Sequence, residues 1–410
     1  MPPQTITTRC CIAGGGPAGM MLGFLLARAR VPVLVLEKHA DFFRDFRGDT
    51  IHPSTLQIMH ELGLLDEFLA LPHQEVRELG GIIGGERVTL ADFSHLPTRC
   101  QFIALMPQWD FLDFLAAHAK RYKSFTLKMQ AEVSGPIWDG ERIAGVKVTT
   151  PEGPLDIRAD LVVDAEGRQS ALREAAGLDV EELGAPMDVL WMRLSKHKQD
   201  GSVTLGRIEA GRLVIMLDRG DYWQCAYVIP KGGFDALRAH GLEAFRQDLV
   251  ALNPVLADRV QELASWDDAK LLTVRVDRLK RWYREGLLCI GDAAHAMSPV
   301  GGVGINLAIQ DAVAAANILA RPLAKGAVPV SVLAKVQKRR QWPTEMTQRF
   351  QIFVQNRIIS NVLSLQSRPK APFAVKLFNR VPWLRRLPAR LIGMGFRPEH
   401  VHTQEVNEPT

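Results

Sequence analysis

The stretch that decides the fold lies near the start of the chain and reads CCIAGGGPAGM at residues 10–20. Its first four residues are an apolar run of the kind that forms a buried parallel strand. The GxGxxG spacing that follows meets three needs: a tight turn, a backbone that can approach a pyrophosphate, and a helix packed closely on its strand. The glycines in that spacing are Gly14, Gly16 and Gly19.

The residues after these glycines predict a helix and a second strand. Pro17 suits the first turn of a helix, and the apolar stretch 20–29 indicates that this helix is buried. Its N-terminus offers free backbone N–H groups and a dipole that favour phosphate. A short strand at 33–36 is followed by Glu37, ~20 residues beyond the glycines, where a carboxylate can accept hydrogen bonds from a ribose diol. The same charge would repel a 2′-phosphate, which argues against NADP in this groove.

Two later segments repeat the pattern of an apolar strand that ends in polar residues. Residues 160–173 read DLVVDAEGRQSALR, and residues 286–306 read GLLCIGDAAHAMSPVGGVGIN. Asp292 follows the strand of the later segment and is placed to bind a ribityl hydroxyl. Beyond it, a loop of bare backbone can lie against a flat ring, where its N–H groups stabilise negative charge. The residues of this predicted flavin loop are Pro299, Gly301, Gly302 and Gly304.

With the three segments in this order, the chain resembles the class A flavoprotein monooxygenases, the family of p-hydroxybenzoate hydroxylase. That family carries a GxGxxG, a mid-chain DGxxSxxR motif and a late GD motif, and the resemblance covers roughly residues 5–320. The late segment matches closely. The mid-chain segment departs at Glu166, where the family usually has aspartate, so the family's contacts with FAD and NAD(P)H at this motif do not transfer directly.

The resemblance implies a site for non-covalent FAD, with NAD(P)H as a passing co-substrate because the chain has no second GxGxxG. Arg47, in FRGDTIHP, matches an arginine that reaches the FAD pyrophosphate, and Gln108 matches a polar position near the ribose. His295 is expected to have a structural or flavin-proximal role, and His52 to line the entrance of the pocket. The residues expected to bind the cofactor are Gly14, Gly16, Ala18, Gly19, Glu37, Lys38, Arg47, Gln108, Asp292, Pro299, Gly304, Ile305 and Asn306.

The resemblance also implies a reaction. FAD held in this way is reduced by NAD(P)H and reacts with O₂ to give a C4a-hydroperoxide, which hydroxylates an electron-rich aromatic carbon. The protein orients the substrate and excludes water, and no acid–base residue is required. Two alternatives stay open: a flavin-dependent reductase or desaturase of the geranylgeranyl-reductase type, and a non-catalytic flavoprotein. A halogenase is disfavoured, since CAYVIP at residues 225–230 lacks both tryptophans of the halogenase WxWxIP.

The expected fold class is α/β: a Rossmann-like FAD-binding domain, an interleaved and mostly antiparallel β-sheet substrate domain, and C-terminal helices. Residues 76–97 alternate and carry turn residues, as a hairpin does. The FAD-binding domain is expected to comprise residues 1–75, 98–178 and 273–330, the substrate domain residues 76–97 and 179–272, and the C-terminal cap or tail residues 331–410.

Strand-like runs between residues 186 and 230 are expected to roof the substrate pocket. Aromatic and apolar side chains outweigh charged ones there, which predicts an aromatic and fairly lipophilic substrate with Arg193 as the one obvious anion partner. Core packing is the alternative for each residue. The candidate substrate contacts are Trp191, Arg193, Met216, Trp223, Cys225 and Tyr227.

Composition and charge narrow the class of protein. A chain with 47% apolar and 23% charged residues is ordinary for a globular protein. Five cysteines without ligand-like spacing, and no apparent signal peptide or long apolar run, predict a reduced, cytoplasmic setting. The net charge of +5 conceals a basic stretch, residues 335–397, with fourteen Lys or Arg and a single acid, Glu345. A helical cap with a solvated basic face is the favoured interpretation, contact with an anionic membrane is the alternative, and nucleic acid is disfavoured.

Overall fold

The structure is a computed structural model that describes residues 4–43, 50–201, 205–367 and 373–406. A mixed eight-stranded sheet forms its centre. Along the main path of six strands, neighbours are parallel except for the pair at one edge. In order across the sheet, six strands are Tyr283–Arg284, Leu287–Cys289, Gly153–Asp164, Gln4–Ala13, Val33–Leu36 and Phe125–Lys128. An antiparallel extension, Arg142–Thr150 and Glu132–Asp139, pairs in turn onto Gly153–Asp164.

The first strand and the helix after it lie in the core. Strand Gln4–Ala13 pairs on both sides in parallel register, and its last four residues are fully buried. Ten of the twelve residues of helix Pro17–Arg28 are buried, so the prediction of an apolar, buried helix is confirmed. The carboxyl ends of the parallel strands therefore meet at one edge, where α/β folds bind their ligands.

A seven-stranded sheet, the roof sheet, forms a second layer. All its neighbours are antiparallel except Leu205–Glu209 and Glu78–Ile83, which are parallel. The hairpin predicted within residues 76–97 is present. In order the strands are Lys270–Leu272, Met187–Ser195, Tyr222–Pro230, Arg212–Asp218, Leu205–Glu209, Glu78–Ile83 and Glu86–Asp92. Two small sheets consist of Val180–Glu182, Asp277–Leu279 and His295–Ala296, and of Thr50–Ile51, Ile103–Leu105 and Gln74–Val76.

Helices cover the sheets. The stretch Val300–Lys325 is long and apolar enough to span a membrane, but 72% of its apolar window is buried inside the protein, as in a core helix. The helices are Pro17–Arg28, Pro53–Glu61, Leu65–Leu69, Gln108–Ala119, Ala171–Ala175, Phe234–His240, Leu242–Leu252, Gly304–Lys325, Val330–Val354, Ser360–Ser364, Phe373–Arg380 and Arg386–Met394, with a π-helical turn at Gln355–Ile359.

The C-terminal part packs on the rest of the molecule. Ala389 is fully buried, and Ile392 and Met394 pack with the cluster that contains Phe93 and Leu96. The final segment returns to the first helix, where Val406 N donates to Arg28 O at 3.1 Å. The α/β fold class with C-terminal helices is confirmed, and residues 386–406 form a cap. The residue limits of the three domains stay a prediction.

Candidate FAD site

The glycine turn has the geometry that a pyrophosphate needs. Gly14 has a φ of +105°, and a Cβ on Gly19 would lie 1.9 Å from Gly14 O, so neither position accepts a side chain. A Cβ on Gly16 would instead meet no atom within 4 Å. The helix that begins at Pro17 has no side-chain cap, so its first N–H groups are available to an anion. This cradle fits an FAD pyrophosphate.

Glu37 is held over the glycine turn. Its side chain is nearly buried, and its two carboxylate oxygens accept from Gly15 N and from His39 N, each at 3.1 Å. Two fixed donors orient the carboxylate at the end of the second strand, which is where a ribose diol would be bound. Lys38 is exposed beside it.

The mid-chain segment forms a chain of three oxygen-bearing groups. Ser170 Oγ donates to Asp164 Oδ2 at 2.5 Å and also lies 3.1 Å from Glu166 Oε2. Because the hydroxyl has one proton, two hydrogen bonds along this chain need a second proton on a carboxyl group. Burial and the neighbouring Asp164 raise the pKa of Glu166 to about 7. The glutamate at this motif is therefore a carboxyl that is partly protonated at neutral pH.

Asp292 follows the strand Leu287–Cys289 and is oriented by an arginine. Arg168 Nε donates to Asp292 Oδ2 at 3.1 Å, and Arg168 Nη2 donates to Met297 O at 3.2 Å. The Asp292 side chain is one-third exposed, so it can still reach a ligand. Arg168, which the sequence reasoning did not select, thus connects the mid-chain and late segments.

A buried ion network lies behind the late segment. Asp311, with no exposed area, accepts from Gly291 N at 3.1 Å, from His295 Nε2 at 2.5 Å and from Arg340 Nε at 2.9 Å. Burial raises the pKa of Asp311, but the charges of His295 and Arg340 outweigh it and hold the pKa below its usual range. Arg340 continues the network to Glu399 at 3.2 Å. His295 is therefore held by a buried hydrogen bond to Asp311, and its structural or flavin-proximal role stays a prediction.

The predicted flavin loop has a backbone that only glycine tolerates. Gly301 and Gly302 have φ of +79° and +63°, and a Cβ on Gly302 would lie 2.5 Å from Thr50 Oγ1. Helix Gly304–Lys325 begins without a side-chain cap, so its first N–H groups can stabilise negative charge on a reduced flavin. These features fit an isoalloxazine beside the loop.

Asn306 fixes the loop from the other side. Its Oδ1 accepts from His52 N and from Thr55 Oγ1, each at 2.8 Å, and its Nδ2 donates to Thr50 O at 3.0 Å. The side chain is therefore occupied by protein contacts, and any contact of Asn306 with FAD would come through its backbone. His52 is fully buried, which lowers its pKa to about 4 although Ile392 O opposes this by accepting from the ring.

Three glutamines on one face of the long C-terminal helix hold the segment that leads into the flavin loop. Gln348 Nε2 donates to Ala296 O at 3.2 Å. Gln351 accepts from Ser298 N at 3.1 Å and donates to Ser298 O and Val300 O, each at 2.9 Å. Gln355 donates to Ser298 Oγ. This glutamine ladder (Gln348, Gln351 and Gln355) fixes the backbone of residues 296–300.

Residues 7–350 match the protein family described as "FAD binding domain". The chain belongs to this FAD-binding family. A similar protein, 6-methylpretetramide 4-monooxygenase of Streptomyces rimosus, is 32% identical over 396 residues, or 95% of this chain and 93% of that protein. Pentachlorophenol 4-monooxygenase of Sphingobium chlorophenolicum is 26% identical over 345 residues, or 76% of this chain and 58% of that protein.

Solved structures agree on the fold. PqsL, a probable FAD-dependent monooxygenase from Pseudomonas aeruginosa, has a TM-score of 0.74 at 22% identity and covers 88% of this chain and 99% of its own. The resemblance to the class A flavoprotein monooxygenases is confirmed, and the chain is an FAD-dependent aromatic monooxygenase with NAD(P)H as its co-substrate.

The roof sheet of this monooxygenase divides the candidate substrate contacts between its two faces. Trp191 packs in the cluster that also contains Val300 of the loop. Met216, Trp223, Cys225 and Tyr227 lie on the opposite face, in the cluster with Phe245 and Leu249 of helix Leu242–Leu252. Because neighbouring residues of a strand point to opposite faces, these four side chains pack as core residues of the outer layer, and their selection as substrate contacts stays a prediction.

The positions of the remaining candidate site residues neither support nor contradict their predicted roles. Arg193 is 60% exposed, lies over the ring of Tyr222 at 3.9 Å and pairs with Asp221 at 3.8 Å, so it lies at the rim of the roof sheet. Gln108 begins helix Gln108–Ala119, next to the strand that pairs with Thr50–Ile51. Arg47 lies outside the described residues. Ala18 and Ile305 border the cradle and the loop through their backbone.

Proposed function

We propose that this monooxygenase hydroxylates a lipophilic aromatic substrate with fused rings. The observation that carries the proposal is the side of the roof sheet beside the flavin loop, where Trp191 and Ile215 are only partly buried and pack in the cluster that includes Val300. The indole Nε1 of Trp191 is buried and has no hydrogen-bond partner among the described residues. An apolar surface with one unsatisfied donor suits a large ring system that carries an acceptor oxygen.

The chain's own residues divide the work of holding the cofactor. We propose that the glycine turn binds the pyrophosphate, Glu37 the adenosine ribose, and Asp292 a ribityl hydroxyl. FAD, when bound, supplies electron transfer from NAD(P)H and activation of O₂. The flavin loop and the N-terminus of helix Gly304–Lys325 would border its ring and would stabilise negative charge there. The roof sheet orients the substrate and excludes water.

A substrate series tests the proposed ring size. NAD(P)H oxidation by the FAD-loaded protein is measured with hydroxybenzoates, naphthols and hydroxyanthraquinones, and each product is weighed by mass spectrometry. We expect stimulation and a gain of one oxygen atom with the fused-ring phenols. Faster coupled turnover on simple benzoates would contradict the proposed substrate class, and oxidation without oxygen incorporation would favour a reductase.

We also propose that the C-terminal helices touch an anionic membrane surface. Trp383 and Leu387 are 65% and 67% exposed, and the exposed cations Arg380, Arg386 and Arg390 surround them in the sequence. An amphipathic surface of this composition binds acidic lipid through apolar insertion and charge. A second copy of the chain is a poorer occupant because a symmetric contact would bring two basic faces together.

Vesicle binding tests this contact. Co-sedimentation with phosphatidylcholine vesicles that contain phosphatidylglycerol is expected for the native protein and is expected to fall at high salt. Leu387→Glu should abolish it, whereas Leu271→Glu, at a leucine of the roof sheet that is 42% exposed, should not. Dimerisation without vesicle binding would show that another copy covers the surface.

The five free cysteines are all buried, and a cytoplasmic location remains our prediction.

A further inference from the structure

A narrow crevice lies between the flavin loop and the C-terminal segment. Val300, Gly301 and Val303 of the loop border it on one side. Leu391, Ile392, Met394 and Phe396 border it on the other, with Leu307 and Phe350 between them. The lining is mainly apolar and contains two arginines, Arg340 and Arg397, but no carboxylate. A ligand in this crevice would therefore be an apolar body with neutral or negatively charged polar groups.

Gln310 supplies one directional polar group to this crevice. It lies on helix Gly304–Lys325, lines the crevice and is only 4% exposed. Its Oε1 accepts from Glu399 N. Because a backbone N–H can only donate, the amide cannot be turned over without losing this bond. Nε2 is thus fixed as a donor, and it has no hydrogen-bond partner among the described residues.

The other polar groups at the crevice do not satisfy this donor. Arg340 is also a donor, and it is engaged by Asp311 at 2.9 Å and by Glu399 at 3.2 Å. A buried donor without a partner is costly, so an acceptor that enters the crevice gains a hydrogen bond from Nε2 of Gln310. The apolar walls favour an acceptor that is carried by an apolar body.

The far wall of the crevice is held in a fixed position. The ring of His52 donates through Nδ1 to Ile392 O at 2.7 Å, and Arg340 Nη1 donates to Arg397 O at 3.2 Å. These bonds tie the segment 391–397 both to the strand–helix junction at His52 and to the ion network of Asp311. The cap therefore presents a preformed wall to the flavin loop.

We infer that this crevice binds one edge of the aromatic substrate and that Gln310 Nε2 donates a hydrogen bond to a carbonyl or phenolate oxygen on that edge. The inference rests on the proposed function, and it narrows the substrate class to fused-ring phenols and quinones with an oxygen at the ring edge that enters the crevice. Met394 and Phe396, on the wall opposite the loop, set how wide that edge can be.

Ligand binding to the FAD-loaded protein tests the inference. The probe is 1-hydroxyanthraquinone, compared with anthracene, which has the same rings and no oxygen; dissociation constants come from changes in flavin absorbance and fluorescence. Gln310→Glu keeps an oxygen for Glu399 N and removes the donor. It should weaken binding of the hydroxyanthraquinone roughly ten- to hundredfold and leave anthracene almost unchanged. Gln247→Glu, at an exposed position of helix Leu242–Leu252, is the matched control.

A second variant guards against misfolding of the first. Met394→Trp narrows the crevice without touching the Gln310 amide, and it should weaken the binding of both probes. Native affinity for both probes in Met394→Trp, or an unchanged preference for the oxygenated probe in Gln310→Glu, would overturn the inference even if hydroxylation continued. If the native protein transferred oxygen to no phenol, that result would contradict the proposed function. The binding measurements alone would then test the crevice.

Discussion

Replacing Glu166 by glutamine should make the apoprotein more stable at alkaline pH. The glutamate pKa of about 7, against an ordinary value of 4.5, means that the folded chain holds a proton that the unfolded chain releases. The contribution of Glu166 to stability is therefore fully present below about pH 4.5 and is lost as the pH rises through 7. At 1.36 kcal/mol per pKa unit, the loss above that range is about 3 kcal/mol. Glutamine cannot ionise, so the variant avoids this loss of stability.

The structure shows why glutamine should fit. The carboxyl accepts from Leu172 N at 3.3 Å and lies 3.1 Å from Ser170 Oγ, whose own proton is directed to Asp164. Both contacts involve the single oxygen Oε2, so the amide oxygen of glutamine takes its place and accepts from Leu172 N and, once the hydroxyl turns, from Ser170 Oγ. The glutamine needs no extra proton, and Asp164 then keeps its bond from Glu166 N and loses the one from Ser170.

Thermal unfolding of the apoprotein measures the effect. At about pH 8, Glu166→Gln should raise Tm by several degrees over the native chain, and at about pH 5 the two should nearly coincide. Glu174→Gln removes an exposed carboxylate from helix Ala171–Ala175, which follows Glu166 in the chain, and should shift Tm little at either pH. A Tm difference that does not depend on pH, or a variant less stable than the native chain at about pH 8, would refute the reasoning.

Three further outcomes are expected. Gln351→Leu removes three hydrogen bonds to the backbone of the flavin-loop segment and should lower kcat/KM at least about tenfold, while Gln341→Leu, exposed on the same helix, should not; equal kinetics would contradict the role of the glutamine ladder. Asp292→Ala, Glu37→Ala and Arg47→Ala should each weaken FAD binding roughly ten- to hundredfold in a fluorescence titration, and native affinity in all three would refute the site. The purified protein should be yellow and release its colour on acid precipitation, whereas colour retained in the pellet would show a covalent flavin.

The sequence predicts the cofactor cradle well because its chemistry lies in contiguous motifs. The turn at Gly14, the strand end at Glu37 and the loop at Gly301 each depend on residues within one segment, so local spacing is enough to identify them. The three segments meet in the fold because parallel strands bring their carboxyl ends to one edge. Arg168 lies within the mid-chain motif, but its bond to Asp292 depends on the distance in space between two segments. The spacing of residues along the sequence does not give that distance.

The roof sheet was predicted less well for a physical reason. Alternation along Met187–Ser195 and Tyr222–Pro230 identifies two faces, but it does not say which face meets the flavin loop. The usual guide, one polar and one apolar face, is absent because both faces are apolar and covered, one by helix Leu242–Leu252 and the other in part by residues 354–363. Trp223 and Tyr227 belong to the outer face, and Trp191 belongs to the face beside the flavin loop.

The sequence contains a pattern that indicates the glutamine ladder. Its residues recur at intervals of three and four, which places them on one helix face, and polar residues on a face that is otherwise buried indicate partners that need hydrogen bonds. What the sequence could not supply was the identity of the partner, since the segment 296–300 is about fifty residues away.

The measurement that most directly tests the assignment as an FAD-dependent aromatic monooxygenase is isotope transfer from dioxygen. The FAD-loaded protein is supplied with NAD(P)H, a fused-ring phenol that stimulates its oxidation, and ¹⁸O₂, and the product is analysed by mass spectrometry. The account predicts a single ¹⁸O atom on an aromatic carbon of the product, with none from ¹⁸O-labelled water in the reverse experiment. Consumption of NAD(P)H across the series with no labelled product would contradict it.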